Sequence, residues 1–264
     1  MSSFAEGSPF LLDMISRTDR GRLREHNEDA LACDAVAGVA VLADGMGGYA
    51  AGEVASGAAA SQVASELARL KAEYPQLSPA DLMQAMREAI RRVNIQIYRV
   101  AHKDPRFSGM GTTLVAAAFT GQVAVVAHAG DSRAYLFRDG RLRRMTKDHS
   151  LLQERIDLGL VQADDPAGQA VRNLITRALG VDPLLEPEIG VHGVRDGDLV
   201  LLCSDGLSDM LSDARIEQVL QAHDADAPAA AQELVEQANA AGGRDNISVI
   251  LIGLRLGPSQ RSSY

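Results

Sequence analysis

Apolar positions along the chain follow two rhythms. Val39 to Ala43 is a short run of small and aliphatic residues, the pattern of a strand covered on both faces, and it stops at Asp44-Gly45-Met46-Gly47-Gly48. Glycines there let the backbone take positive φ and approach a ligand closely. Phe10 to Thr18 and Ala30 to Cys33 read as earlier strands, joined through the turn Asp19-Arg20-Gly21 and the polar stretch Arg24-Glu25-His26-Asn27-Glu28-Asp29. From Ala51 to Leu70 the period becomes helical, with Ala59, Val63, Leu67 and Leu70 on the inner face. A second helix opens at Ser78-Pro79-Ala80-Asp81, a capping serine with proline at the first helical position. Its stripe is Leu82, Met86, Ala89, Val93, Ile97 and Val100.

Strand-like runs return at Met110–Thr120, Gln122–His128, Ala134–Phe137 and Leu142–Thr146. Asp139-Gly140 between the last two is a type I′ hairpin signal. Connections this short join antiparallel strands, which excludes a parallel βαβ dinucleotide-binding sheet. Residues 148–180 are the least regular part, a surface excursion with a short helix near Leu151–Leu158 and a polar loop at Asp164-Asp165-Pro166. A strand over Asp198–Cys203, helices over Asp213–Ala222 and Pro228–Ala240, and a last strand over Ile247–Leu254 complete the chain. Two groups of strands with two pairs of helices predict an α+β fold. Its form is a four-layer α-β-β-α sandwich, two antiparallel sheets packed face to face with helices outside. Residues 9–256 read as a single domain, and 1–8 and 257–264 as loose ends.

Composition narrows the partners. With no Trp and 4% aromatic residues, the core must be built from Ala, Val, Leu and Ile. The net charge of −9 argues against nucleic acid or an anionic membrane as the main partner. An acidic protein that handles anionic substrates needs a cation between them. Cys33 and Cys203 both lie in apolar runs and read as buried thiols, and no disulfide framework is indicated. No basic and apolar leader and no apolar stretch of about 18 residues is visible, so the expectation is a cytoplasmic monomer.

Aspartates recur at strand ends: Asp44-Gly45, Gly130-Asp131, Asp205-Gly206 and Asp245-Asn246. Taken singly, each is equally a tight turn with a capping carboxylate. Together they can converge only at the rim of a sheet core, where carboxylates repel and are raised in pKa unless cations neutralise them. Oxygen-rich sites of this kind select Mg²⁺ or Mn²⁺, and the six dispersed histidines show no zinc spacing. Two such ions about 4 Å apart activate water for in-line displacement at phosphorus, so phosphate-ester hydrolysis is the natural reaction class. Arg24 is the candidate for bidentate contact with the phosphate. There is no P-loop, no Cys followed six positions later by Arg, and no Gly-x-Ser-x-Gly elbow.

The ordered set Arg24-x-x-Asn27-Glu28-Asp29, Asp44-Gly45-Met46-Gly47-Gly48, Gly109-Met110-Gly111-Thr112-Thr113, Gly130-Asp131-Ser132-Arg133, Ser204-Asp205-Gly206-Leu207 and Asp245-Asn246 is specific as a set. It resembles the bacterial branch of the metal-dependent protein phosphatases (PPM, or protein phosphatase 2C), from about Leu11 to Leu254. The resemblance implies phosphoserine and phosphothreonine hydrolysis by a metal-bridging water or hydroxide, with two Mn²⁺ or Mg²⁺ ions and a third, weaker one. It further implies that Asp44 bridges two ions, that the Gly45 carbonyl is a ligand, and that Asp205 and Asp245 complete the other ion. Glu28 and Asp29 would act through waters, Asp131 and Asp209 would hold the third ion, and Arg24 would bind phosphate. Residues 148–180 correspond to the flap beside the site, without the proline expected near Ala167–Val171. Met46 stands where many eukaryotic members carry a histidine, so the leaving-group proton is expected from a metal-bound water. Implied partners are phosphorylated proteins, targets of a bacterial Ser/Thr kinase and the kinase itself. A catalytically inactive phosphoprotein-binding relative is the alternative, and it is disfavoured because no site acid is missing.

Overall fold

Alternation within each strand decides which layer a side chain joins. In β4 (Val39–Met46), Val39, Val41 and Ala43 point one way and Ala40 and Leu42 the other, all of them buried. The first set packs with α1 (Ala51–Glu73) and α2 (Pro79–Lys103), and the second packs against another sheet. This is a computed structural model, and it describes residues 3–4, 8–47, 51–162, 165, 171, 173–223 and 226–257.

One sheet runs, edge to edge, β10 (Glu188–Gly193), β7 (Val123–Ala129), β6 (Leu114–Thr120), β4 and β3 (Asp29–Asp34), with β5 (Gly111–Thr112) paired to the end of β4. The other runs β1 (Ser3–Phe4), β2 (Phe10–Asp19), β12 (Ile247–Leu256), β11 (Leu199–Cys203), β8 (Arg133–Arg138) and β9 (Arg141–Arg144). Neighbouring strands pair antiparallel throughout both sheets. Phe10, Leu136, Leu202 and Ile252 of the second sheet meet Leu42, Val115, Phe119 and Val126 of the first. The outer face of the second sheet is covered by α5 (Asp213–His223) and α6 (Ala227–Ala240) through Val219, Leu220, Leu234 and Ala238. Four layers result, as the periodicities predict.

Several expectations need correction. The inner stripe of α1 continues in steps of four to Lys71, 2% exposed, whose Nζ donates to the Phe119 carbonyl, while Leu70 is only half-buried. On α2 the same drift leaves Val100 40% exposed and buries Ala101. Cys33 is exposed: it shares the inter-sheet face with Ala40 opposite it, but β3 is the outermost strand of its sheet. Asp44 lies inside β4 rather than beyond its end, directly opposite Asp29 of β3. The run expected over Met110–Thr120 divides into β5 and β6 around Thr113. The short helix expected near Leu151–Leu158 is α3 (Leu151–Asp157), while elements that go unforeseen include β10, whose Gly-interrupted Glu-Ile-Gly-Val-His-Gly carries no clean alternation, and the one-turn α4 (Asp205–Ser208). The hairpin does have positive φ at Asp139 (52°) and Gly140 (72°). Ser3–Phe4, expected to be loose, adds a strand, while most of the other terminal residues, Gly48 and Ala167–Ala170 lie outside the described residues.

Candidate active site

Antiparallel pairing brings the aspartates to one end of both sheets. Asp29 and Asp44 face each other across β3 and β4, Asp205 follows β11, and Asp245 precedes β12, the strand paired to β11. Asp131 sits between β7 and β8. The two sheets are tied here by side chains: Ser204 Oγ donates to Asp29 Oδ2 at 2.9 Å, and the Ser248 N–H donates to Ser204 Oγ at 3.0 Å. Buried Asn246 staples the loop before β3, accepting from the Glu28 N–H at 2.8 Å and donating to the Arg20 and His26 carbonyls at 2.9 Å each. Neither Ser204 nor Asn246 stands out in the sequence except as a neighbour of a site aspartate.

Close backbone approach makes this convergence possible. A Cβ on Gly45 would lie 2.3 Å from the Gly52 carbonyl oxygen at the start of α1 and 2.7 Å from that of Glu28. Gly45 is therefore required for space, whereas Gly47 is the residue with positive φ, at 146°.

The electrostatics is that of a charge cluster awaiting neutralisation. Burial raises Asp44 well above the usual carboxylate range, and Asp29, Asp205, Asp131 and Asp245 push it further. Asp205 is likewise raised by burial, then by Asp131, Asp209 and Asp245. Asp29 and Asp131 are both pushed up to about 7, chiefly by burial. Glu28 is raised by burial against the opposing pull of Arg24. The oxygens Asp29 Oδ1, Asp131 Oδ1 and Asp205 Oδ1 are buried without a hydrogen-bond partner. Orphaned buried carboxylate oxygens carry a large desolvation cost unless something positive meets them. An oxygen-only donor set of this charge fits hard divalent cations.

Two cavities flank the rim. The larger, about 580 Å³, is lined by Arg24, Glu25, His26, Glu28, Glu53 and Asn246. Arg24 Nη2 donates to Asp245 Oδ2 at 2.6 Å, so the guanidinium stands beside the carboxylates with half its surface exposed. The smaller, about 160 Å³, is lined by Asp131, Asp205, Asp209, Arg133, Asp148 and Ser150. All the aspartates and glutamates singled out in the sequence thus meet in one region, with Arg24 on its open side. The side chain of Met46 packs towards Gly111, where a Cβ would lie 2.7 Å from its Cε.

Residues 20–244 match the family model described as Protein phosphatase 2C. The chain belongs to the protein phosphatase 2C family. It is 40% identical over 241 residues to the serine/threonine protein phosphatase PstP of Mycobacterium tuberculosis, covering 91% of this chain and 45% of that one. It therefore spans about half the length of that relative. To the serine/threonine phosphatase stp of Listeria welshimeri it is 37% identical over 239 residues, covering 89% and 93% of the two chains. The crystal structure of the PstP catalytic domain in complex with 2 manganese ions superposes with a TM-score of 0.79 at 39% identity, covering 93% of this chain and 99% of that one. As a protein phosphatase 2C member this chain has its sandwich in common with that structure. Among the described residues no helix is long and apolar enough to cross a membrane.

A separate group, His128, His149 and Glu188, has its ligand atoms within 4.8 Å of one another. Dispersed in sequence, the three are gathered by β7, the 148–180 excursion and β10.

Proposed function

We propose that this chain is a phosphoprotein phosphatase that hydrolyses phosphoserine and phosphothreonine monoesters with Mn²⁺ or Mg²⁺, and that residues 9–256 are its catalytic domain. The observation that carries this reading is the set of partnerless buried oxygens on Asp29, Asp131 and Asp205, in a rim whose carboxylates raise one another's pKa. Asp44, the Gly45 carbonyl, Asp205 and Asp245 would hold two ions, with Glu28 and Asp29 acting through water, and Asp131 and Asp209 would hold a weaker third. Bound there, the ions supply Lewis acidity, lowering the pKa of water and offsetting charge on a phosphoryl group.

The chain's own residues do the rest. Arg24, on the open side, binds the phosphate and sets its orientation towards the rim. Ser204 and Asn246 keep the two sheet ends in register, so the carboxylates need not reorganise when substrate arrives. The Asp245 carboxylate, paired with Arg24, couples the phosphate clamp to the cation site. In the cell the same reading makes the protein a cytoplasmic monomer opposing a Ser/Thr kinase, with the kinase's targets and the kinase itself among its partners.

The deciding experiment is release of phosphate from a phosphothreonyl peptide by the purified chain. Turnover with Mn²⁺, abolished by EDTA and restored by Mn²⁺, is the expected result. Binding of the phosphopeptide with no release under any divalent ion would instead establish an inactive, phosphoprotein-binding relative.

A further inference from the structure

The carbonyl and the ring of His149 lie where the two ends of the 148–180 excursion meet the loop that carries Asp131. The His149 N–H donates to the Gly130 carbonyl at 3.0 Å, and the Gly130 N–H donates back to His149 Nδ1 at 3.2 Å. On its other side, the His149 carbonyl accepts from the Thr176 N–H at 2.8 Å, beside a bridge between Ser150 and Ile175. Its ring stacks on His128 with centroids 4.5 Å apart and planes 8° from parallel, and His128 Nε2 donates to the Lys147 carbonyl at 2.7 Å.

These bonds decide against a metal ion at His128, His149 and Glu188. Because Nδ1 of His149 accepts, its neutral ring carries the proton on Nε2, where it faces Glu188 Oε2 at 3.4 Å. A ligating histidine needs the reverse, a lone pair towards the metal and a donating N–H behind it. The grip on Gly130 leads instead towards the carboxylates. Gly130, at φ 113°, lies so close to Thr113 that a Cβ would fall 2.6 Å from the Thr113 Cβ. Thr113 Oγ1 is 2.7 Å from Ser132 Oγ and accepts from the Asp44 N–H at 3.2 Å. The Thr113 N–H in turn donates to the Asp44 carbonyl at 2.8 Å.

We propose that His149 is a positioning residue, setting Asp131 from the root of the 148–180 excursion by gripping Gly130 at both its N–H and its carbonyl. Thr113, packed against Gly130, is in turn hydrogen-bonded to the backbone of Asp44. The proposal rests on Asp131 being a ligand of the weaker ion. Deleting the acceptor leaves the Gly130 N–H without that partner, so the Ala129–Gly130 peptide is released and the carboxylate of Asp131, one residue on, loses its aim.

The test uses two complementary substitutions. His149→Phe keeps a ring on His128 and removes the acceptor, whereas His149→Asn sacrifices the ring and places Oδ1 where Nδ1 stands. Titration of Mn²⁺ into the metal-free proteins should show the weakest ion of His149→Phe bound about tenfold less tightly, the scale of one hydrogen bond, with the tighter ions unchanged. His149→Asn should match the natural protein, and amide hydrogen exchange at Gly130 should quicken in the phenylalanine variant alone. Unchanged Mn²⁺ binding in His149→Phe, or equal loss in both variants, overturns the proposal. So does a natural protein that binds two ions only, which removes Asp131 from the ligand set. If His149→Phe does not fold, His149→Leu, which has the shape of asparagine but no acceptor, must weaken the same ion; unaltered binding there is equally fatal. Phosphopeptide turnover by the natural protein is read separately, and its absence would remove the proposed activity rather than the His149 link.

Discussion

At the scale of single residues, Asp205 concentrates the argument. Its Oδ1 is buried with no partner, and burial with Asp131 and Asp209 nearby raises its pKa far above that of a free carboxylate. Asp205→Asn keeps the volume and removes the charge. Hydrolysis of p-nitrophenyl phosphate should then fall by roughly a thousandfold, the scale of losing one preorganised electrostatic partner. Retained turnover would take Asp205 out of the cation site. Arg24 makes a different prediction because it stands on the open side, paired to Asp245. Arg24→Ala should raise KM by about tenfold or more with little change in kcat, as loss of a charge-assisted contact made equally in ground and transition states. A normal KM would place the phosphate clamp elsewhere. Asp205 was legible in the sequence because it follows an apolar strand and precedes a glycine, and Arg24 because it stands in a short polar stretch rich in acids. Ser204 and Asn246 were not, since a hydrogen bond between sheets leaves no local pattern.

Elements are where local rules and tertiary context part company. Gly206, the second residue of α4, has its would-be Cβ 2.0 Å from the Asn246 carbonyl oxygen, so the short helix lies flush on the start of β12. Gly206→Ala must push Asp205 away from Asp245. We expect a cost of about 1–3 kcal/mol from overpacking, read as a lower melting temperature, together with lost Mn²⁺ affinity. An unchanged melting temperature and affinity would mean that the two backbones separate freely. Helix and strand types followed from periodicity because a face buried on a sheet imposes its spacing on the chain. The ends of the stripes did not: at Lys71 and Ala101 the helix surface drifts relative to the sheet, and which residue finishes inside depends on where the sheet stops. Strand β10 was invisible for a related reason. As an edge strand with two glycines, it is held by backbone pairing to β7 more than by its own side chains.

For the whole molecule, burial turns the acidic rim into a dependence on pH and metal. Asp29 and Asp131 have folded-state pKa values pushed up to about 7, well above the 3.8 of a free aspartate. The folded metal-free protein therefore holds these protons more tightly than the unfolded chain. The stability they contribute is complete below the unfolded value and is lost as pH rises through about 7. Divalent ions replace those protons. Mn²⁺ should accordingly raise the melting temperature more at pH 7.5 than at pH 5.5. Its binding near neutral pH should release protons, measurable as a buffer-dependent heat of titration. Equal thermal shifts at both pH values with no proton release would contradict the buried-carboxylate account.

The amino-acid sequence by itself determined the layers and the order of the chemistry. Side-chain alternation and helical spacing are properties of neighbouring residues, and six short motifs keep their order however the chain is folded. Tertiary structure alone decided that Asp29, Asp44, Asp131, Asp205 and Asp245 share one end of two sheets, that Cys33 is exposed, and that His149 grips Gly130. The reason is that desolvation and Coulomb energy depend on distance through space, and strand register, not separation along the chain, sets that distance.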